Sequence, residues 1–244
     1  MMRTGFIIGS TLLILTLQVG CSSFKKTNQE SILKPISGQP GTRFSGGKSD
    51  ERELCIETAK AVAQEGHISE AVQLYEKAEE LGSDRQRLDL ELAPLYAQNR
   101  ETNQAVARYQ RVVADGKADA EVYNNLAWTL IESKRYVEAR STIESSLEKF
   151  PSHERLRATQ ACLLYKMEDE EGAFQEFASI YGDAAAHHNL AILNVEDGKF
   201  SEGLAHLEYA AASPNASEES VALLRALQNQ MKTAGDTNSE ANLR

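Results

Sequence analysis

A pattern of small and bulky residues recurs through most of this 244-residue chain, at intervals of 34 residues that shorten to 30 at the last step. Alanine stands at Ala59, Ala93, Ala127, Ala161 and Ala191. A second small residue follows each of these, and a bulky residue comes one helical turn later. The second small residues are Ala71, Ala105, Ala139, Ala173 and Gly203, and the bulky ones are Tyr75, Tyr109, Ile143, Phe177 and Leu207. Units of this kind bury their apolar faces only by stacking, so the pattern predicts an all-α array of packed helix pairs.

The length and the pattern of these units resemble the tetratricopeptide repeat (TPR), a 34-residue helix-turn-helix. The resemblance extends from about residue 52 to residue 215. It implies a right-handed superhelical solenoid of about five repeats, in which the first helix of every repeat lines a concave groove. The predicted repeats are 52–85, 86–119, 120–153, 154–183 and 184–215.

A further helix is predicted after the last repeat. Asn215, with Glu218 three positions on, resembles a capping box at a helix N-terminus. Apolar residues then follow at helical spacing, namely Val221, Leu224, Leu227 and Met231. We expect a capping helix over residues 216–232 that closes the exposed face of the last repeat and ends before Gly235. Residues 233–244 are predicted to form a disordered tail.

The N-terminal segment has the composition of an export signal. Arg3 precedes an uncharged, largely apolar run from Gly5 to Leu17, which is shorter than the ~20 residues that a membrane-spanning helix needs. Residues 1–20 are therefore predicted to be a signal peptide. Residues 21–51 mix Gly, Ser, Pro and Lys without an apolar face, so they are predicted to form a flexible tether.

The end of this signal resembles the lipobox of bacterial lipoproteins, because small residues stand directly before Cys21. The resemblance implies that Cys21 is acylated and anchors the protein in the outer membrane, facing the periplasm; Ser22, rather than aspartate, favours that membrane. Gln18 departs from the lipobox, which usually has leucine there. The alternative is an ordinary secretory signal that is cleaved nearby. Apart from this covalent lipid, we expect no cofactor.

The remaining residues argue against several classes of chemistry. The net charge is −10, and no basic stripe is present, so nucleic acid is not expected as a partner. The familiar catalytic and nucleotide-binding motifs are missing, and we expect neither an enzyme nor a small-molecule substrate. His187 and His188 are adjacent and point about 100° apart on a helix, which argues against a shared metal ion. Cys55 and Cys162 are expected to be separate thiols.

Function is therefore expected to reside in the groove that the TPR resemblance implies. Asparagine can both donate to and accept from a peptide backbone, and tryptophan is a common interface anchor. The residues predicted to bind a protein or an extended peptide segment are Asn124, Asn125, Trp128, Ile131, Arg155, Tyr165, Lys166, His188, Asn189 and Ile192. The alternative for Trp128 is that it packs against a neighbouring helix.

These features together predict a lipid-anchored periplasmic scaffold that supports the assembly of an envelope complex. The combination of lipobox, tether and five repeats, with the stretch AAAHHNLA at 184–191, is similar to the repeat lipoprotein of Flp/Tad pilus-assembly systems. An alternative of another class is a regulatory subunit of a peptidoglycan enzyme, and a third is a self-associating structural protein.

Overall fold

A computed structural model describes residues 47–83 and 87–241 of the chain, with side chains described through Thr233. The predicted signal peptide, Cys21 with its predicted acylation and the predicted tether up to residue 46 lie outside the described residues.

All regular secondary structure in the described ranges is helical, in eleven helices. The helices are α1 (Lys48–Gln64), α2 (Ile68–Leu81), α3 (Asp89–Gln98), α4 (Thr102–Ala114), α5 (Ala120–Glu132), α6 (Tyr136–Lys149), α7 (Glu154–Lys166), α8 (Glu170–Tyr181), α9 (Asp183–Glu196), α10 (Phe200–Ala212) and α11 (Glu218–Ala241). None of the helices in this part of the chain is both long and apolar enough to cross a membrane.

The helices pack in chain order, each against the next, and this arrangement confirms the predicted all-α solenoid. Helices α1 to α10 form five successive pairs, and α11 packs against α10. The first helices of the third, fourth and fifth pairs also contact one another, α5 with α7 and α7 with α9. The first helices of these three pairs therefore share one face of the stack, which is where the groove was expected.

The recurring small residues lie where the two helices of a pair meet. The alanines of both series are fully buried, and the bulky residues that follow them are buried as well. At Gly203 even a methyl group would be too large, because an added Cβ would lie 2.8 Å from Val195 Cγ2 and 3.1 Å from the Ala191 carbonyl oxygen. Helices α9 and α10 thus approach so closely that only glycine fits without a shift of the neighbouring atoms.

The turn between the two helices of every pair contains one residue in the left-handed conformation. The φ angle is 89° at Gly66, 62° at Arg100, 60° at Lys134, 68° at Glu168 and 76° at Gly198. Glycine adopts this conformation without steric cost, whereas other residues are strained in it. Three of the five turns nevertheless use a long charged residue at this point.

Both ends of the helical array differ from the sequence prediction. Helix α1 begins at Lys48, inside the predicted tether, with Asp50 and Glu51 favourably placed in its first turn. Helix α11 continues to Ala241, through part of the segment for which a disordered tail was predicted. One glycine costs only about 1 kcal/mol in a helix, and no proline follows Gly235, so nothing stops the helix there.

The predicted capping box at Asn215 is wrong. The hydroxyl of Ser217 caps α11 instead, because Ser217 Oγ accepts a hydrogen bond from the backbone N–H of Ser220 at 3.1 Å. The Asn215 backbone N–H donates to Ser213 Oγ at 3.2 Å, in the turn that precedes the helix.

Candidate partner-binding groove

A groove of about 800 Å³ runs along the ends of the first helices and the turns that follow them. Its lining comes from the second to the fifth repeats. The lining residues are Ala97, Arg100, Thr102, Trp128, Ile131, Glu132, Lys134, Tyr136, Tyr165, Lys166, Glu168, Leu193, Glu196, Asp197 and Lys199. We refer to this feature as the groove.

The floor of the groove is apolar and aromatic. Ile131, Tyr165 and Leu193 are buried, whereas Trp128 is half-buried and packs against the hydrophobic core. The indole Nε1 of Trp128 donates a hydrogen bond to Glu132 Oε1 at 3.0 Å, within the same helix. One part of the indole therefore supports the fold, and the rest stays accessible with its N–H group already oriented.

Two lysines lie close to the ring of Tyr165. The Nζ atoms of Lys166 and Lys199 are 5.4 Å and 5.1 Å from the centre of its ring, within the range of cation–π attraction. Its hydroxyl donates to Asn194 Oδ1 at 3.1 Å. Burial raises the pKa of Tyr165, and the negative charge of Asp197 raises it further. The phenol therefore stays neutral and keeps donating this hydrogen bond at physiological pH.

Charges of both signs surround this floor. The basic residues are Arg100, Lys134, Lys166 and Lys199, and the acidic residues are Glu132, Glu168, Glu196 and Asp197. Lys166 Nζ and Asp197 Oδ1 form an ion pair. An apolar centre with a polar rim is the usual anatomy of a protein interface.

Four of the predicted binding residues line the groove, namely Trp128, Ile131, Tyr165 and Lys166. Asn124 does not, and its assignment to the groove is wrong. It is 2% exposed, and its Oδ1 accepts a hydrogen bond from the Thr159 hydroxyl at 2.7 Å. This buried bond joins α5 to α7, so the Asn124 amide is used in packing between repeats.

The sequence prediction that His188 belongs to the partner-binding groove is also wrong. It is 8% exposed because α11 covers it, and its Nδ1 lies 2.8 Å from Ser220 Oγ of that helix. The capping helix therefore closes the part of the fifth repeat that the prediction left open to a partner.

The other predicted residues lie outside the lining of the groove. Arg155 is exposed and forms an ion pair with Glu121. Asn125 is half-buried on α5. Asn189 and Ile192 are half-buried on α9. Their roles in partner binding stay predictions.

Sequence reasoning missed the charged residues of the turns. Arg100, Lys134 and Glu168 each occupy the left-handed position after a first helix, and each lines the groove. A signal was present, because these residues recur 34 positions apart, in register with the alanine pattern.

The histidines of the fifth repeat make contacts that the sequence did not predict. His187 Nδ1 lies 2.9 Å from His206 Nδ1, and His206 Nε2 lies 2.9 Å from Glu170 Oε1. Tyr209 stacks on His187, with ring centres 5.0 Å apart. No cluster of three or more His, Cys, Asp or Glu residues suited to a metal ion occurs in the part of the chain that the structure describes.

Comparisons with known proteins agree with this geometry. The tetratricopeptide-repeat family matches residues 97–163. A TPR protein from Parabacteroides merdae has 15% identity and a TM-score of 0.56, covering 78% of this chain and 77% of that one. MamA from Desulfovibrio magneticus has 15% identity and a TM-score of 0.52, and the match covers 67% of this chain and 95% of that one. A thermophilic TPR protein from Thermus thermophilus has 14% identity and a TM-score of 0.50, and the match covers 72% of this chain and 98% of that one.

At these identities the likeness establishes the fold alone. Among curated proteins, none matches the sequence. The fold class of the protein is nevertheless clear. This chain has the TPR solenoid fold, which is typical of non-catalytic scaffolds for protein–protein interaction.

Proposed function

We propose that this protein is a lipid-anchored scaffold of the bacterial envelope that binds an extended segment of a protein partner in the groove. The observation that carries the proposal is the floor of the groove, where the partly accessible indole of Trp128 lies beside the buried Tyr165 and is surrounded by charges of both signs. Buried aromatic anchors within a polar rim supply most of the energy in protein interfaces.

The lining of the groove favours a peptide segment over a small metabolite. It is assembled from several repeats, so that it offers a succession of contacts along the stack of helices. Its four basic and four acidic residues favour a partner segment with charges of both signs beside an apolar anchor. Oppositely charged neighbours of this kind set the register of the partner more than its raw affinity.

Site-specific photo-cross-linking tests the groove. A benzoylphenylalanine at Tyr136, which lines the groove, is expected to capture the partner in cells. The matched control is the next residue, Val137, which is 80% exposed and lies outside the lining. Capture from position 136 should disappear when Trp128→Ala is added. Equal capture from both positions, or capture that survives Trp128→Ala, would show that the partner binds elsewhere.

Acylation of Cys21 is the second part of the proposal, and it rests on the small residues before Cys21 and on the signal-like segment from Arg3 to Leu17. More than one acyl chain is needed for stable anchoring, as lipoprotein processing provides. We expect Cys21→Ser to move the protein from the membrane fraction to the soluble fraction of the envelope, as measured by fractionation and immunoblotting.

The same substitution at Cys162, which lies on α7, serves as the control and should leave the protein in the membrane fraction. If Cys21→Ser still requires detergent for its release, the attachment to the membrane does not depend on acylation of this cysteine.

The identity of the captured partner separates the finer alternatives. A component of a pilus or secretin assembly favours the Flp/Tad resemblance, which rests on the lipobox, the tether, the five repeats and the stretch at 184–191. A peptidoglycan hydrolase or synthase favours a regulatory subunit. A second copy of this chain favours a self-associating structural protein.

A further inference from the structure

The contact between the last repeat and α11 is built around a buried histidine. His188 of α9 is 8% exposed, and its Nδ1 lies 2.8 Å from Ser220 Oγ. Ser220 is itself buried, and its backbone N–H bonds to the capping hydroxyl of Ser217. The histidine thus contacts the first turn of α11, at the point where that helix begins.

The other ring nitrogen of His188 is unpaired among the described residues. Its Nε2 is buried and forms no hydrogen bond in the part of the chain that the structure describes. A neutral imidazole has one N–H group, so the single contact with Ser220 leaves only one nitrogen unpaired. A protonated imidazole has two N–H donors and a positive charge, and the second donor has no acceptor. The docked position of α11 therefore favours the neutral ring.

The surrounding charges do not reverse this preference. Burial lowers the pKa of His188, and the carboxylate of Glu219 on α11 opposes that shift without cancelling it. Of the described charged groups on α7, α8, α10 and α11, Glu219 is the one whose charge acts on His188.

The neighbouring histidine belongs to a different network. His187 contacts His206 of α10, which is in turn held by Glu170 of α8. Burial lowers the pKa of His187 and the charge of His206 lowers it further, while Asp183 of the same helix opposes the shift. Because adjacent residues on a helix point about 100° apart, this network and the His188 contact can be tested separately.

We propose that His188 makes the docking of α11 pH-sensitive, so that mild acid shifts the equilibrium toward a released α11, in which the apolar face of the fifth repeat is uncovered. The cluster uncovered in this way consists of Ala191 and Leu207, which Leu227 of α11 covers in the docked state. The inference concerns the end of the solenoid and is independent of the proposed groove function.

The direction of the effect follows from proton linkage. In the released state, His188 is exposed and titrates near its ordinary value of 6.5. Between the lower pKa of the docked state and that value, the released state binds up to one proton more than the docked state, so docking weakens as the pH falls through this range. A single histidine changes the ratio of released to docked α11 by up to about tenfold per pH unit. Above about pH 7 both states are neutral and docking is independent of this group.

Hydrogen exchange of the full chain tests the proposal. Backbone amides of residues 218–233 should lose protection by a factor approaching about tenfold between about pH 7.5 and pH 5.5, after correction for intrinsic exchange rates. Amides of α5 serve as the internal reference and should keep their protection. Unchanged protection of α11 over this range would overturn the proposal.

Three variants, at His188, His67 and His206, show which residue causes the response. His188→Gln replaces the ring by an amide that can still bond Ser220 but does not titrate, so α11 should become insensitive to pH. His67→Gln, in the first repeat, should keep the full response. A response that survives His188→Gln and is lost in His206→Gln would assign it to the His187 network and overturn the proposal.

If α11 does not dock in the His188→Gln variant, a measurement on the unaltered protein still tests the proposal. The ring resonances of His188 should titrate below the ordinary value of 6.5 in the nuclear magnetic resonance spectrum, together with the loss of protection in α11. Titration of His188 at or above that value would contradict the proposed preference for the neutral ring.

Discussion

Replacing Asp89 by alanine is expected to lower the free energy of unfolding by about 3 kcal/mol, as measured by chemical denaturation. Asp89 is 6% exposed, at the first position of α3. Its carboxylate accepts a hydrogen bond from Arg111 Nη2 at 2.6 Å and one from Arg108 Nη1 at 3.1 Å. Removing one partner of a buried ion pair costs about 3–5 kcal/mol, because the other charge is left without compensation. The lower figure applies here because Arg111 is partly exposed to water.

The cost is large because the network joins two repeats. Arg108 of α4 also forms an ion pair with Glu79 of α2, with Nη1 and Oε1 at 2.6 Å. Charges from the first and second repeats are therefore held in one largely buried cluster. Burial alone would raise the pKa of Asp89, but the hydrogen bonds and charges of Arg111 and Arg108 outweigh it and lower that pKa below the ordinary value of 3.8.

The sign of the pH dependence follows from this lowered pKa. The stabilisation by Asp89 is fully present above 3.8, the ordinary value, and it is lost as the pH falls through the lower pKa of the folded state. The free energy of unfolding of Asp89→Ala should therefore depend less on pH below about 4 than that of the unaltered protein.

An exposed ion pair provides the control for Asp89→Ala. Glu121 and Arg155 pair across the third and fourth repeats at the surface, where both side chains are almost half exposed. Glu121→Ala should change the free energy of unfolding by less than about 1 kcal/mol, as expected for a solvent-exposed pair. Equal effects of the two substitutions would show that the Asp89 network behaves as a surface feature.

Replacing Trp128 by alanine is expected to weaken partner binding at least about thirtyfold. The substitution removes the half-buried indole from the floor of the groove and releases Glu132 from its hydrogen bond. A central aromatic anchor of an interface is commonly worth about 2 kcal/mol or more, which corresponds to this change in affinity. Titration of the cross-linked partner, once identified and purified, measures the dissociation constant directly.

The control for this variant lies on the same helix. Asn125 is one turn away from Trp128 but lies outside the lining of the groove, so Asn125→Ala should cost at most the ~0.5–1.5 kcal/mol of one hydrogen bond and weaken binding much less than Trp128→Ala does. A thermal melt accompanies each titration, since Trp128 also packs against the core. If Trp128→Ala melts at a much lower temperature yet binds the partner normally, the indole serves the fold and the groove is not the binding site.

The sequence predicts the helix contacts well because side-chain size decides them locally. Ala127 belongs to the recurring series of alanines and Ile143 to the recurring series of bulky residues, and both are buried as the pattern predicts. The polar residues of the first helices are harder to predict. The sequence around Asn124 does not reveal that Thr159, 35 positions later, bonds to its amide. Likewise, His188 is covered because Ser220, in the first turn of α11, lies against it, 32 positions away in the sequence.

The residues of the groove also fall into those that the sequence predicts and those that it does not. Its aromatic floor follows from the repeat register, so that Trp128 and Tyr165 were predicted from the sequence alone. Its rim depends on the conformation of the turns, since a residue after the end of a helix can point in many directions. The left-handed backbone at Lys134 and its neighbours in other repeats decides that direction, and the periodicity of the alanines carries no information about it.

The charged residues of the turns lower the stability of the solenoid but provide charges for the recognition of a partner. A left-handed conformation costs a residue other than glycine about 1–2 kcal/mol, and Arg100, Lys134 and Glu168 each bear that cost. Glycine stands at the equivalent place in the first and last repeats, where the backbone is relaxed. Glycine at the three inner turns would make the solenoid harder to unfold but would remove the charges that face a partner. Exchanging one charge for another there leaves the backbone cost unchanged. These turns are therefore positions at which related chains can acquire new partners without rebuilding their cores.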